Sequence, residues 1–253
     1  MLLKEGVRVW GTARSHERLA HLSGVETFTP VLLDLNHTAS VERAYRESFE
    51  QAGDGFDLVI NNAGCGLFAP FARASAAEWT AHIQGCLLGT VQLAHLALRD
   101  MLQRNRGCIV NVSSVAVEYP LPFMSGYNIV KAGISALSES LIFETRGTGV
   151  AVIDFRPGDF RTAFNQSMQL NSSAGERDVD PRVAVSWRRL EQNLEKAPEP
   201  SRAASDLKRV LLTPRSRTVY TGSVFQAKLA PLFSRLAPAG LRRAIAARYF
   251  GAA

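Results

Sequence analysis

Long apolar runs are missing from this sequence. No stretch approaches the roughly 18 residues that a membrane span needs, so no span is expected. The opening MLLKEGVRVWG has no extended apolar core followed by a small-residue cleavage site, and no signal peptide is read there. Cysteine is scarce. Cys65, Cys86 and Cys108 are odd in number and show neither C-x-x-C nor any other metal-ligand spacing. Reduced thiols in a cytoplasmic protein are the simplest expectation, with no metal site. Acidic residues are almost absent from the end of the chain. From Arg202 onward Asp206 faces ten lysines and arginines, although the whole chain carries only +6. A basic tail with apolar interleaving either meets an anionic membrane surface or nucleic acid, or is a solvated edge of the domain. The solvated edge is the expectation. No nucleic-acid partner is expected, and peripheral membrane contact stays open.

What is present suits one globular domain over residues 1–253, 46% hydrophobic and 21% charged. Short apolar runs recur at Val7–Trp10, Pro30–Leu33, Asp57–Ile60, Cys108–Val112, Val150–Phe155 and Thr218–Tyr220. Several are continuous rather than alternating, as in strands covered on both faces of a parallel sheet. Helical patterns lie between them at Ala39–Gln51, Ala76–Gln103 and Gly126–Arg146. The alternation predicts an α/β fold, a doubly wound parallel sheet. Residues 165–200 break the pattern and read as an excursion, a lid over a substrate site, with one helix near Val183–Leu194.

Ligands of such sheets bind outside the carboxyl ends of the strands. The residues there are Gly11-Thr12-Ala13-Arg14, Asp34, Asn61-Asn62-Ala63-Gly64, Ser113-Ser114 and Arg156-Pro157-Gly158-Asp159. Small, polar and turn-forming groups thus gather on one edge, where backbone can approach a flat polar ligand; the asparagines equally suit a simple turn. Tyr127 and Lys131 lie four apart on a predicted helix and share a face. An ammonium beside a phenol favours the phenolate and would lower the tyrosine pKa, making it a proton donor and acceptor near neutral pH. A hydroxyl from Ser114 could polarise a carbonyl oxygen.

Asn61-Asn62-Ala63-Gly64, Ser114 thirteen residues before Tyr127, Lys131, and Pro157-Gly158-x-x-x-Thr162 together resemble the short-chain dehydrogenase/reductase family, from the first residues to about Phe164. The resemblance implies a Rossmann-like domain and an NAD(P)-dependent oxidoreductase acting on an alcohol or ketone. It implies that Tyr127 exchanges a proton with the substrate oxygen, Ser114 orients that oxygen, and Lys131 binds the nicotinamide ribose. Asn61, Ala63 and Gly64 would line the adenosine side, Asp34 would meet the adenine, and Pro157, Gly158 and Thr162 the nicotinamide end. No acid follows the first apolar run. Arg14 there would pair with a 2′-phosphate, favouring NADP over NAD, or else be a solvated surface residue. The family's long helices imply a homodimer or homotetramer. The stretch Val115–Pro120 with Phe123 and Met124 suggests a lipophilic substrate.

Two departures stand out. Cys86 occupies the place of the family's catalytic Asn, where a thiol is a weak hydrogen-bonder; buried packing is the expectation for it. The family's T-G-x-x-x-G-x-G turn after its first strand is absent, and Leu2–Gly6 resembles the last turn of the helix that follows it. The sequence therefore reads as N-terminally truncated, lacking the first strand. A catalytically impaired binding or regulatory relative is the alternative.

Overall fold

A computed structural model describes residues 1–162, 164, 169–170 and 181–251. The chain passes through β1 (Val9–Ala13), β2 (Phe28–Leu32), α1 (Thr38–Ala52), β3 (Leu58–Asn61), β4 (Leu67–Phe68) and α2 (Ala76–Ile83). It continues through α3 (Gly89–Arg104), β5 (Gly107–Val112), α4 (Ser125–Glu144), β6 (Val150–Pro157) and β7 (Gln169–Leu170). α5 (Pro181–Glu195), α6 (Pro200–Leu211), β8 (Arg217–Thr221), α7 (Ala230–Leu236) and α8 (Ala239–Phe250) follow. Among the described residues no helix is long and apolar enough to cross a membrane.

Four strands form a parallel sheet in the order β3-β5-β6-β8. Successive side chains of a strand face opposite sides, and here both sides are covered. Ile109, Val150 and Val152 pack with Tyr45, Leu98, Met101 and Leu141 from α1, α3 and α4. Cys108, Val110, Ala151, Ile153 and Phe155 pack the other way with Val210 of α6. The continuous apolar runs of β5 and β6 follow from this double cover.

Among the described residues β1 and β2 pair in parallel with each other and with no other strand. The sheet is therefore two blocks, with β1 and β3 sharing no ladder. The blocks meet instead through side chains. Trp10 packs edge-on against Phe56 at 5.4 Å between ring centroids and donates to Gln51 Oε1 at 3.3 Å. No residue of β1 or β2 is fully buried, whereas nearly every residue of β5 and β6 is. Ahead of β1, Leu2–Glu5 form a short 3₁₀ turn closed by Gly6 at φ 74°, whose N–H reaches the Leu2 and Leu3 carbonyls.

The stretch expected as one helix over Ala76–Gln103 is broken. α2 starts in a capping box, with Ser75 Oγ accepting from the Glu78 N–H and Glu78 accepting from the Ser75 N–H. Gln84–Leu88 then widen into a π turn before α3. Thr90 Oγ1 donates to the Cys86 carbonyl at 3.0 Å, which satisfies an acceptor beside the distortion. Gly89 packs on the loop after β2 so tightly that a Cβ would strike the Leu35 carbonyl. Of the lid excursion, the predicted helix is present as α5, burying Val183 and Leu190; residues 165–168 and 171–180 lie outside the described residues.

Candidate active site

A row of polar side chains crosses the carboxyl end of the sheet. Asn61, Asn111 and Asp154 are register partners on β3, β5 and β6. Asn61 Nδ2 donates to Asn111 Oδ1 at 2.8 Å, and Asn111 Nδ2 donates to Ser138 Oγ on α4 at 3.0 Å. Asn61 Oδ1 is buried and has no partner, an acceptor left open for a donor.

Asp154 is fully buried and holds three neighbours. It accepts from Ser113 Oγ at the end of β5, from Ser135 Oγ of α4 at 2.9 Å, and from Arg156 Nε at 2.7 Å. Arg156 spreads further, donating to Glu118 Oε1 at 2.7 Å, Tyr220 Oη at 2.8 Å and Ser135 Oγ at 2.7 Å. Asn111 and Asp154 were not singled out from the sequence, although a lone polar residue inside each apolar run (CIVNV, VAVIDF) was a readable signal.

Ser114 follows Ser113 in extended backbone at φ −168°, its Oγ accepting from the Ala116 N–H at 3.0 Å. Tyr127 and Lys131 stand on α4. Lys131 Nζ donates to the Val112 carbonyl at 2.7 Å and lies 5.8 Å from the centre of the Tyr127 ring. Ser114, Tyr127, Lys131, Gly64, Pro157, Gly158 and Thr162 all line one cleft of about 1540 Å³. Gly158 is pressed so closely that a Cβ would come within 2.5 Å of Gln226 Oε1. Asn61 is buried, Ala63 is exposed, and neither is in its wall.

Arg14 and Asp34 stand apart from that wall. Arg14 is exposed just past β1 and makes no ion pair among the described residues. Asp34 is mostly engaged locally: its Oδ1 accepts from the Asn36 N–H at 3.0 Å and from Asn36 Nδ2 at 2.9 Å, which holds its carboxyl below the usual range. That is an Asx turn leading into α1.

The protonation picture differs from the one expected. Burial pushes the Tyr127 phenol up to about 12, while the Ser114 hydroxyl pulls it back only in part. The lowering expected from Lys131 is not seen; its ammonium donates to the Val112 carbonyl and lies 5.8 Å from the centre of the Tyr127 ring. Burial also lowers Lys131 to about 8.

Three residues that no linear motif joined come together behind this wall. Cys65 Sγ lies 3.4 Å from His82 Nδ1, and the donor atoms of Cys65, His82 and Cys86 are all within 4.8 Å of one another. Contact with Cys65 lowers the Cys86 thiol to about 7 and pushes the Cys65 thiol up; burial lowers His82. Linear spacing gave no sign of this grouping, because Cys65 ends the turn after β3 while His82 and Cys86 are four apart across the π turn. Cys86 is buried, as expected, beside Val130 and Ile134 of α4.

A family model described as short chain dehydrogenase matches residues 1–173. The chain is similar to a 3-ketodihydrosphingosine reductase of Bacteroides thetaiotaomicron, 26% identical over 70% of this chain and 64% of that protein. It is similar to an NADP-dependent 3-hydroxy acid dehydrogenase of Salmonella typhi, 32% identical over 62% of this chain and 64% of that protein. The chain therefore spans a little under two thirds of the length of these curated relatives. Its fold superimposes on the closed form of serine dehydrogenase complexed with NADP+, with a TM-score of 0.75 at 25% identity, covering 89% of this chain and 88% of that one.

Lys131 supplies a pH test. Folding lowers its pKa to about 8 from 10.5, so between those values the unfolded chain binds the extra proton. Stability contributed by this group rises with pH through that window, since the unfolded state binds more protons there. In Lys131→Met, melting temperature measured from pH 8 to 10.5 is expected to lose that rising component; an unchanged slope would mean the lysine is not desolvated.

Proposed function

Because the chain belongs to the short chain dehydrogenase family, we propose that its site serves an NADP(H)-dependent oxidoreductase that interconverts an alcohol and a ketone. The carrying observation is that Ser114, Tyr127 and Lys131 face one cleft at the carboxyl end of the sheet. A binding module has no need of that trio.

The ribose and nicotinamide half of a dinucleotide fits the residues present. Lys131 and Tyr127 offer donors to ribose hydroxyls, and Thr162 lines the same cleft. Arg14, exposed just past β1, is the cation that would meet a 2′-phosphate, in line with the NADP named for the serine dehydrogenase and Salmonella relatives. The bound nicotinamide supplies or takes the hydride. This chain's residues handle the proton. With its pKa near 12, Tyr127 is protonated at neutral pH and able to donate to a developing alkoxide. Ser114 Oγ, fixed by the Ala116 N–H, can donate to the same oxygen.

The substrate is lipophilic on this reading. Leu121, Met124, Phe155, Phe160 and Phe233 line the cleft, and Leu229, Leu232 and Leu236 stand exposed around it. The relative named for 3-ketodihydrosphingosine acts on a molecule of that character. The same reading places the protein in the reducing cytoplasm. A second copy would cover α4, where Ile129 and Phe143 are exposed. A binding relative without turnover is the second reading, favoured by Cys86, whose thiol is engaged with Cys65 rather than free for a proton relay.

Tyr127→Phe keeps the ring and removes the proton. It is expected to cut NADPH-dependent reduction of a lipophilic ketone by at least about a hundredfold, the lower end of general acid–base contributions, with NADPH affinity nearly unchanged. Turnover equal to the parent's would exclude the assignment. NADPH binding with no turnover in the parent would favour the second reading, and light scattering of the same samples reads the copy number.

A further inference from the structure

The chemistry proposed above leaves Cys65, His82 and Cys86 unused. Three separate segments bring them together: the turn after β3, the last turn of α2 and the π turn. Cys86 and His82 are each 7% exposed, and Cys65 is half-buried. The His82 ring turns Nδ1 toward Cys65 Sγ at 3.4 Å, and its buried Nε2 has no hydrogen-bond partner among the described residues. We propose that Cys65, His82 and Cys86 form a binding site for a thiophilic divalent cation of the zinc class.

Bond lengths of about 2.3 Å to sulfur and 2.0–2.1 Å to nitrogen in a tetrahedral site put donors about 3.5–3.8 Å apart. The Cys65 to His82 separation is already 3.4 Å, and all three donors lie within 4.8 Å of one another. Small side-chain rotations close the remainder. Two thiols and an imidazole are soft donors, which select zinc over magnesium or calcium. On binding, two S–H bonds give way to two metal–sulfur bonds and two protons leave to solvent. The complex of a dication with two thiolates is neutral, so it sets no net charge beside buried Lys131. Three protein donors leave one position for water or another ligand.

Such an ion would staple the Asn62–Gly64 turn to α2 and to the π turn. Gly64 lines the cleft, so the staple would hold one wall of the site. This inference does not depend on the proposed redox activity, because metal binding is read without turnover.

The test uses the full chain, reduced and stripped of metal, titrated with cobalt(II) and then zinc(II). The expected result is one cobalt per chain with thiolate-to-metal charge-transfer and tetrahedral d–d absorption, displaced by zinc, and a higher melting temperature with zinc. Cys65→Ser, Cys86→Ser and His82→Gln should each weaken binding by at least about tenfold, since even residues that only orient a ligand cost 10–100-fold. Cys108→Ser should leave it unchanged. Absorption without charge-transfer character, or binding untouched by the first three variants, overturns the site. Loss of two free thiols and two hydrogens of mass on air oxidation, with no cobalt bound after reduction, also overturns it and identifies a Cys65–Cys86 disulfide pair instead.

Discussion

The buried ion pair of Asp154 with Arg156 is the constraint on which the site rests. Both lie on β6 and both face α4, because alternate residues of a strand share a side. A carboxylate and a guanidinium out of water are each costly, and they persist only when paired and fully hydrogen-bonded. Here every nearby element contributes: Ser113 from the end of β5, Ser135 from α4, Glu118 from the loop after β5 and Tyr220 from β8. The planar fork of the arginine suits this, since it reaches several acceptors at fixed angles.

The residues proposed for chemistry hang from that network by one peptide or one helical turn. Ser114 follows Ser113, and Lys131 precedes Ser135 by one turn on the same face of α4. Tyr127 precedes Lys131 by another. The pair therefore fixes the relative position of a serine on a strand end and a tyrosine on a helix. At the far side of the sheet the support is weaker. β1 and β2 hold to the rest through Trp10, Phe56 and α1 rather than through a ladder. Arg14 and Asp34, which would meet the far end of a dinucleotide, stand on that looser block.

Much of the fold was legible because its signals are local. Double-covered strands leave unbroken apolar runs, and β5, β6 and β8 fall within two residues of where those runs lie. Ser114, Tyr127 and Lys131 were singled out by their spacing together with the family resemblance, and all three line one cleft. The π turn was not legible: it lies beside the close approach of Gly89 to the Leu35 carbonyl, a tertiary contact that no helical period records. The raised phenol of Tyr127 escaped for a related reason. Four-residue spacing puts Lys131 on the correct face, but only the coordinates show its ammonium turned to the Val112 carbonyl. Cys65, His82 and Cys86 were invisible because the chain brings them together through a turn and a broken helix.

The most direct test of the central constraint is a double-mutant cycle on Asp154→Asn and Arg156→Gln, read as unfolding free energy in urea. Breaking a buried pair by removing one partner costs about 3–5 kcal/mol, because the other charge is left uncompensated. Each single variant should lose on that scale, and the double variant should lose little more than either one. Small and additive losses would contradict the account, since they would mean that Asp154 and Arg156 act independently and that the strand end bearing Ser114 is held by something else.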